Sequence, residues 1–508
     1  MSFCSIAHLL IYLTIMNSND KRPNIIAVLT DDQGLGQAPC FADDFTINDC
    51  IANPTPRYRC DPERAVAAAR TAMPNLRAVA GDGIVCADAH VSSPVCGPSR
   101  CALLTGRYSQ RFGVYSNGDA SQGLPVSESC IAAPLQAAGY RTAAIGKWHV
   151  GKPTHRKVES ESRDYHRNSA QGCVPEHHPL ARGFEYCFGF NSSGTSYYDS
   201  PSLFRDHSPA SAEEFLTDQF NDEAVRFVER GAGPFFLYLP YNAPHIPLED
   251  EAPQRYRERF NTGNTEVDNY YAHLAAVDDG IGRLVAALKA KGQYENTLFF
   301  FLSDNGAAVD SPHPMNGPFV GFKGRQRQGG CRTPMIVSWP RCLPAGQRCD
   351  QLISSLDIVP TALRAAGVQT EDEVDGIDLL PILRGDHDTA GRTLFWAGPN
   401  SFHWSEENEP FWTQYWIWIT EQSDDPAEKT PDGKAAPPAW AVRRDEWFLF
   451  HRADTAENIL LRIGDATNHA AVNATVARDL TDHYYAWTQR IAEPLRWHRD
   501  QWQALVNK

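Results

Sequence analysis

The stretch TLFFFLSDNG, residues 297–306, sets seven uncharged residues directly ahead of Asp304, Asn305 and Gly306. Seven residues are too few for a stable helix, and their aromatic and leucine content suits a strand buried on both faces. Three further runs repeat the arrangement. NIIAVLT (24–30) leads into Asp31 and Asp32, TAAIG (142–146) into Lys147 and His149, and PFFLYLP (234–240) towards Asn242 and His245. Between them lie stretches with helical patterning, clearest in TEVDNYYAHLAAVDDGIGRLVAALKAKG (265–292). Strands alternating with helices predict an α/β fold, a large and mostly parallel sheet sandwiched by helices. Such sheets bind ligands beyond the carboxyl ends of their strands. One polar residue at a strand end is commonplace; four such ends in one chain predict a site.

A chain of 508 residues buries a large core and has room for two domains. Hydrophobic residues at 42% mark it as globular, and the net charge of −15 argues against a nucleic-acid partner. An acidic protein that binds an anion must therefore concentrate positive charge locally. The 13 cysteines are scattered, without the paired spacing of a zinc ribbon. Cys40, Cys50 and Cys60 form one group and Cys331, Cys342 and Cys349 another, suited to disulfides in an exported protein and to free thiols in a reducing compartment.

Residues 1–22 read as a signal or a spurious extension: IAHLLIYLTIM (6–16) is apolar yet too short to span a bilayer. The reading leans to export, periplasmic or extracellular, with a cytoplasmic protein expected if translation begins at Met16. No later segment reads as a membrane span. Residues 23–390 read as the catalytic domain. From 391 to 508 the texture changes to a smaller α+β subdomain, with WAVRRDEWFLF (440–450) as two antiparallel strands and ATVARDLTDHYYAWTQRIAEPL (474–495) as a terminal helix.

Asp31, Asp32, Asp304 and Asn305 offer four oxygen-bearing side chains at two strand ends. Adjacent carboxylates repel, and clustering them in a fold is costly unless a cation neutralises them. An all-oxygen set suits a hard divalent ion, Ca²⁺ or Mg²⁺, rather than zinc. Singly, each has a structural use as a helix cap or turn. VCGPSRCALLTGR (95–107) reads as a helix start with Pro98 in its first turn. Residue 96 then sits at the positive end of a helix, where a tetrahedral anion binds well. A thiolate there would be a nucleophile. A plain cysteine enzyme, however, needs a partner base rather than a cluster of carboxylates.

CGPSRCALLTGR (96–107) resembles the first signature of the type I sulfatases, and GYRTAAIGKWH (139–149) resembles their second. The likeness continues through NIIAVLTDDQG, APHIP, SDNGA, GFKGR, DGIDLLPIL and RTLFW, nearly the whole chain. It implies the alkaline-phosphatase superfamily fold. It also implies that Cys96 is oxidised by a formylglycine-generating maturation enzyme to 3-oxoalanine (formylglycine), whose hydrate attacks sulfur and forms a covalent sulfate intermediate. By the same resemblance Asp31, Asp32, Asp304, Asn305 and residue 96 bind a metal, which in this family is usually Ca²⁺. Arg100 would steady the hydrate. Lys147 and Lys323 would contact sulfate, His149 would be the base for elimination, and His245 would protonate the leaving oxygen. The expected function is hydrolysis of sulfate esters, most readily those of a sulfated carbohydrate. A phosphonate or phosphate-ester hydrolase with the same nucleophile and a non-catalytic binder of sulfated glycans are the alternatives.

Three segments are expected around the pocket. Gln37 to Thr71 would wall it, with Arg57 or Arg59 near an anionic substrate. FGFNSSGTSYYDS (188–200) is suited to stacking on sugar rings. SPHPMNG (311–317) would form another edge, while FWTQYWIW (411–418) reads as subdomain core, with a carbohydrate platform as the alternative.

Overall fold

A computed structural model describes residues 22–50, 60–157, 169–211, 214–309, 311–369, 372–398, 437–452, 457–463 and 467–492. Arg57, Arg59 and the 411–418 segment lie outside the described residues. The large sheet takes β1 (Asn24–Thr30), β2 (Ile84–His90) and β3 (Arg141–Lys147). A separate two-stranded sheet, β4 (Pro153–Lys157) with β5 (Ser169–Cys173), interrupts it. It then resumes with β6 (Tyr186–Phe190), β7 (Phe204–Arg205), β8 (Ser208–Pro209), β9 (Phe235–Pro240), β10 (Thr297–Ser303), β11 (Met335–Ser338) and β12 (Gln347–Ser354). Its order is β12-β2-β11-β10-β1-β9-β3-β6-β7-β8.

The four apolar runs of the sequence are therefore four neighbours, β10-β1-β9-β3, all parallel. The margins differ from the centre: β11 runs antiparallel to both β10 and β2, and β7 and β8 are antiparallel. Each central strand is covered on both faces. On β1, Ile26 and Val28 enter one core cluster while Ile25, Ala27 and Leu29 enter the other. That is why these runs are continuously apolar instead of alternating. The first cluster is roofed by the helices Leu216–Arg230 and Thr265–Ala290, the second by Cys96–Thr105 and Ile358–Ala365. Asn264 starts the long helix by accepting from the amides of Glu266 and Val267.

The C-terminal part forms a second sheet, β13 (Thr393–Gly398), β14 (Ala439–Arg444), β15 (Trp447–Arg452) and β16 (Glu457–Arg462), antiparallel throughout. Helix Ala474–Thr488 lies on it, with Tyr484 stacked on Trp440 at 4.2 Å between ring centroids. Eleven cysteines, Cys331, Cys342 and Cys349 among them, are free thiols. Among the described residues no helix is long and apolar enough to cross a membrane.

Candidate active site

Register creates the site. Thr30 pairs with Ser303 and Leu29 with Pro240, so the residues after β1, β9 and β10 emerge side by side. Neighbouring strands lie about 4.8 Å apart, which sets Asp31 and Asp32 against Asp304 and Asn305. Ligand atoms of Asp31, Asp32, Cys96 and Asp304 all fall within 4.8 Å of one another. Asp32 has a φ of 65°, in the left-handed region a non-glycine residue seldom adopts. This bend lets two consecutive carboxylates face one centre. The turn is buttressed by the 311–317 segment: Gly36 N donates to Met315 O, and a Cβ on Gly34 would lie 2.2 Å from that oxygen.

Cys96 opens the helix Cys96–Thr105, with Val95 as cap and Pro98 in the first turn. All ten residues of that helix are buried, because it lies between the large sheet and the smaller one. Its one charged side chain, Arg100, is fully enclosed and fully used. Nε and Nη2 donate to Asp304 Oδ2 at 2.9 and 2.7 Å, and Nη1 to the Lys147 carbonyl at 3.0 Å. Lys147 Nζ donates to Asp31 Oδ2 at 2.5 Å, and Lys323 Nζ to Asp32 Oδ2 at 2.8 Å. Arg325 and Arg327 instead lie over Phe322 and Phe450. Asn305 Nδ2 donates to Asp32 Oδ1, and His245 Nε2 stands 3.6 Å from Asp32 Oδ2.

Burial would raise the carboxyl pKa of Asp31, but Lys147, His245 and Arg100 outweigh it and hold the group below its ordinary value. Asp32 is likewise lowered, with Lys323 and His245 overcoming burial. Burial pushes the Cys96 thiol up to about 12 despite Lys147 and Lys323. His149 is held well below the usual imidazole value by burial, then by Lys147 and Arg100. Like Asp32 it has a positive φ, 55°.

The donor set fits a hard cation. Three carboxylates converge, and Asn305 Oδ1 is buried without any hydrogen-bond partner. Three carboxylates also match the three cations Arg100, Lys147 and Lys323. A bound divalent ion would leave a net charge of about +2 to meet an anionic ester.

The ten residues expected to bind the metal or act on the ester are all buried; nine are joined in this cluster by the contacts above, and His149 is near enough to feel the charges of Lys147 and Arg100. One expectation needs revision. Phe188, Phe190 and Tyr197 of the 188–200 segment are buried at 1%, 0% and 0% exposure, so they form no sugar platform. Phe188 and Phe190 sit on β6 and pack on Phe220, and Tyr197 stacks on Phe215. Sequence reading also missed Asn117, whose Oδ1 accepts from Gly97 N at the helix start. Nothing local in YSNGD (115–119) marks it.

A sheet whose four central strands are parallel, with a carboxylate cluster, a helix N-terminus and buried cations gathered at its carboxyl edge, is the arrangement expected of the alkaline-phosphatase superfamily. Comparison with known proteins narrows the class. The Sulfatase family model matches residues 23–368. YdeN of Escherichia coli (strain K12), described as an uncharacterized sulfatase, is 38% identical over 91% of this chain and 85% of its own. The N-acetylgalactosamine-6-sulfatase of Sus scrofa is 30% identical over 81% of this chain and 76% of its own. Among solved structures, Ps i-CgsB in complex with k-i-k-neocarrahexaose superposes with a TM-score of 0.72 at 25% identity, covering 96% of this chain and 98% of that one. The chain belongs to the sulfatase family and is a sulfuric ester hydrolase.

Proposed function

We propose that the protein removes sulfate from a sulfated carbohydrate, using a formylglycine made from Cys96 as nucleophile and Ca²⁺ as the bound cation. The observation that carries this reading is Cys96 itself, seated within 4.8 Å of the ligand atoms of Asp31, Asp32 and Asp304. Bound there, the cation would acidify the hydrated aldehyde, which supplies an attacking oxygen and a second hydroxyl for expelling sulfate.

The chain's own residues do the rest. Asp31, Asp32, Asp304 and the unpartnered Asn305 Oδ1 hold the cation, and Arg100 braces Asp304. Lys147 and Lys323 meet the sulfate oxygens and offset charge developing there. His149 Nδ1, buried and without a partner, is free to take a proton during release of sulfate. His245 Nδ1 lies 2.7 Å from the Ile246 carbonyl, which only accepts, so Nδ1 carries a hydrogen and Nε2 is the atom that serves the leaving oxygen.

Residues 96 to 100 are helical and buried, so the maturation enzyme must meet them before the chain folds. The carbohydrate class is supported by the relatives: one is an N-acetylgalactosamine-6-sulfatase, another was solved with a neocarrahexaose. The test joins peptide mass spectrometry across residue 96 with sulfate release from defined sulfated saccharides and turnover of matched sulfate and phosphonate esters. The aldehyde should be found in protein made with a maturation enzyme, sulfate should be preferred, and Cys96→Ala should abolish turnover without unfolding. Full activity in Cys96→Ala would defeat the mechanism, and preference for the phosphonate would defeat the substrate assignment.

A further inference from the structure

His245 lies on residues 241–252, which contain neither helix nor strand. A group that must meet a leaving oxygen within hydrogen-bond reach needs a fixed backbone, and this loop has to borrow its rigidity. Part comes from the metal-binding turn, since Asp31 N donates to Ala243 O at 3.1 Å. Part comes from the long helix, where Asn269 Nδ2 donates to Leu248 O at 2.6 Å and its Oδ1 accepts from Ala252 N at 2.8 Å. The peptide beside His245 is held by neither. It is held by Tyr197, whose hydroxyl lies 2.8 Å from His245 O and 3.2 Å from Asn242 O.

Fixing the His245 carbonyl fixes the plane of the 245–246 peptide, and so one of the two soft torsions at His245. The next carbonyl, Ile246 O, is the one that engages His245 Nδ1 at 2.7 Å. The His245 amide donates to Asn242 O at 2.8 Å, and Tyr197 adds the restraint on the following peptide, one of the torsions that decide where Nε2 points. The tyrosine is itself immobilised: its amide donates to Asp250 Oδ2 at 2.7 Å, and its ring lies 5.6 Å from Phe215 and 4.1 Å from His273. It is fully buried, so solvent cannot substitute for its hydroxyl.

We infer that Tyr197 is a positioning residue for His245, aiming Nε2 at the leaving oxygen. The inference rests on the proposed role of His245. As the nucleophilic oxygen of residue 96 bonds to sulfur and the ester S–O bond breaks, the leaving oxygen keeps the electron pair and takes the Nε2 proton of the His245 imidazolium, which is left neutral with its hydrogen on Nδ1. A sugar alcohol needs that proton; 4-nitrophenolate, stable as an anion, does not.

Tyr197→Phe removes only the hydroxyl and keeps the stacked ring. In protein converted at residue 96, it should slow release from a sulfated monosaccharide roughly tenfold to a hundredfold while leaving 4-nitrophenyl sulfate within about threefold. Across aryl sulfates of graded leaving-group acidity, the dependence should steepen, as it should more strongly in His245→Ala. A second measurement needs no turnover: hydrogen–deuterium exchange of the peptide spanning 241–252 should quicken in Tyr197→Phe. Equal loss on all substrates, or unchanged exchange, would each overturn the inference. An unchanged dependence in His245→Ala would instead remove the acid role, and the inference with it.

Discussion

Arg100 shows how one side chain couples folding to chemistry. It is wholly buried and spends its donors on Asp304 and on the backbone of Lys147, and its Nη2 stands 3.6 Å from Asp31. Removing one partner from a buried charge network leaves the rest uncompensated, at a cost of about 3–5 kcal/mol. Arg100→Ala should therefore lose about that much in urea unfolding with a chelator present, and regain part of it on adding Ca²⁺ if the proposed site is right, because a cation bound there would neutralise the same carboxylates. Unfolding midpoints equal to the wild type would mean that the carboxylates are satisfied without it. At this scale much was legible. Two consecutive aspartates, an Asp-Asn pair and a cysteine before Pro-Ser-Arg carry their chemistry in residue type alone. Tyr197 was legible only as an aromatic residue, since stacking on a sugar and stacking inside a core call for the same ring.

The element that matters most is the turn after β1. Its backbone lies so close to the 311–317 segment that Gly34 cannot bear a side chain, its Cβ falling 2.2 Å from Met315 O. Gly34→Ala should cost about 1–3 kcal/mol in stability. Turnover should fall by considerably more, on the order of a hundredfold, because the shift is passed to Asp31 and Asp32. Parallel thermal melts and steady-state kinetics check this; retained turnover would show that the turn gives way harmlessly. The 311–317 segment, expected from the sequence as a pocket edge, packs against this turn. The segment supports the turn from behind, Gln37 Nε2 donating to Pro312 O and Tyr271 to His313 O.

Over the whole molecule, the two sheets are joined by a buried polar cluster remote in sequence. Asp88 and His90 of β2 meet Arg332 and, from β14, Arg443, whose Nη2 donates to Asp88 Oδ2 at 2.9 Å. Trp396 of β13 lies 5.6 Å from His90 and donates to Val91 O. Burial, reinforced by the two arginines against Asp88, pushes the pKa of His90 down to about 3 from 6.5. The folded state thus refuses a proton that the unfolded chain accepts. Stability from keeping His90 neutral is present above pH 6.5 and is lost as pH falls from there towards 3, at about 1.4 kcal/mol per pH unit. Urea unfolding at about pH 6.5 and 5.5 should register that loss, and His90→Gln should lack it. Equal slopes in the two proteins would mean that His90 titrates normally.

The sequence alone determined the four central strands, the β14–β15 pair, the helix that begins at Cys96 and the kinds of side chain waiting at the strand ends. Those come from local rules: apolar runs of strand length, a proline in a first turn, carboxylates set next to one another. Only the tertiary structure decided that β10, β1, β9 and β3 are neighbours, that β11 enters antiparallel, and that Phe188 and Phe190 of β6 and Tyr197 after it turn inward. The reason is that strand pairing is non-local. Which strand lies beside which depends on how the whole sheet closes over two cores, and no window of sequence contains that sum.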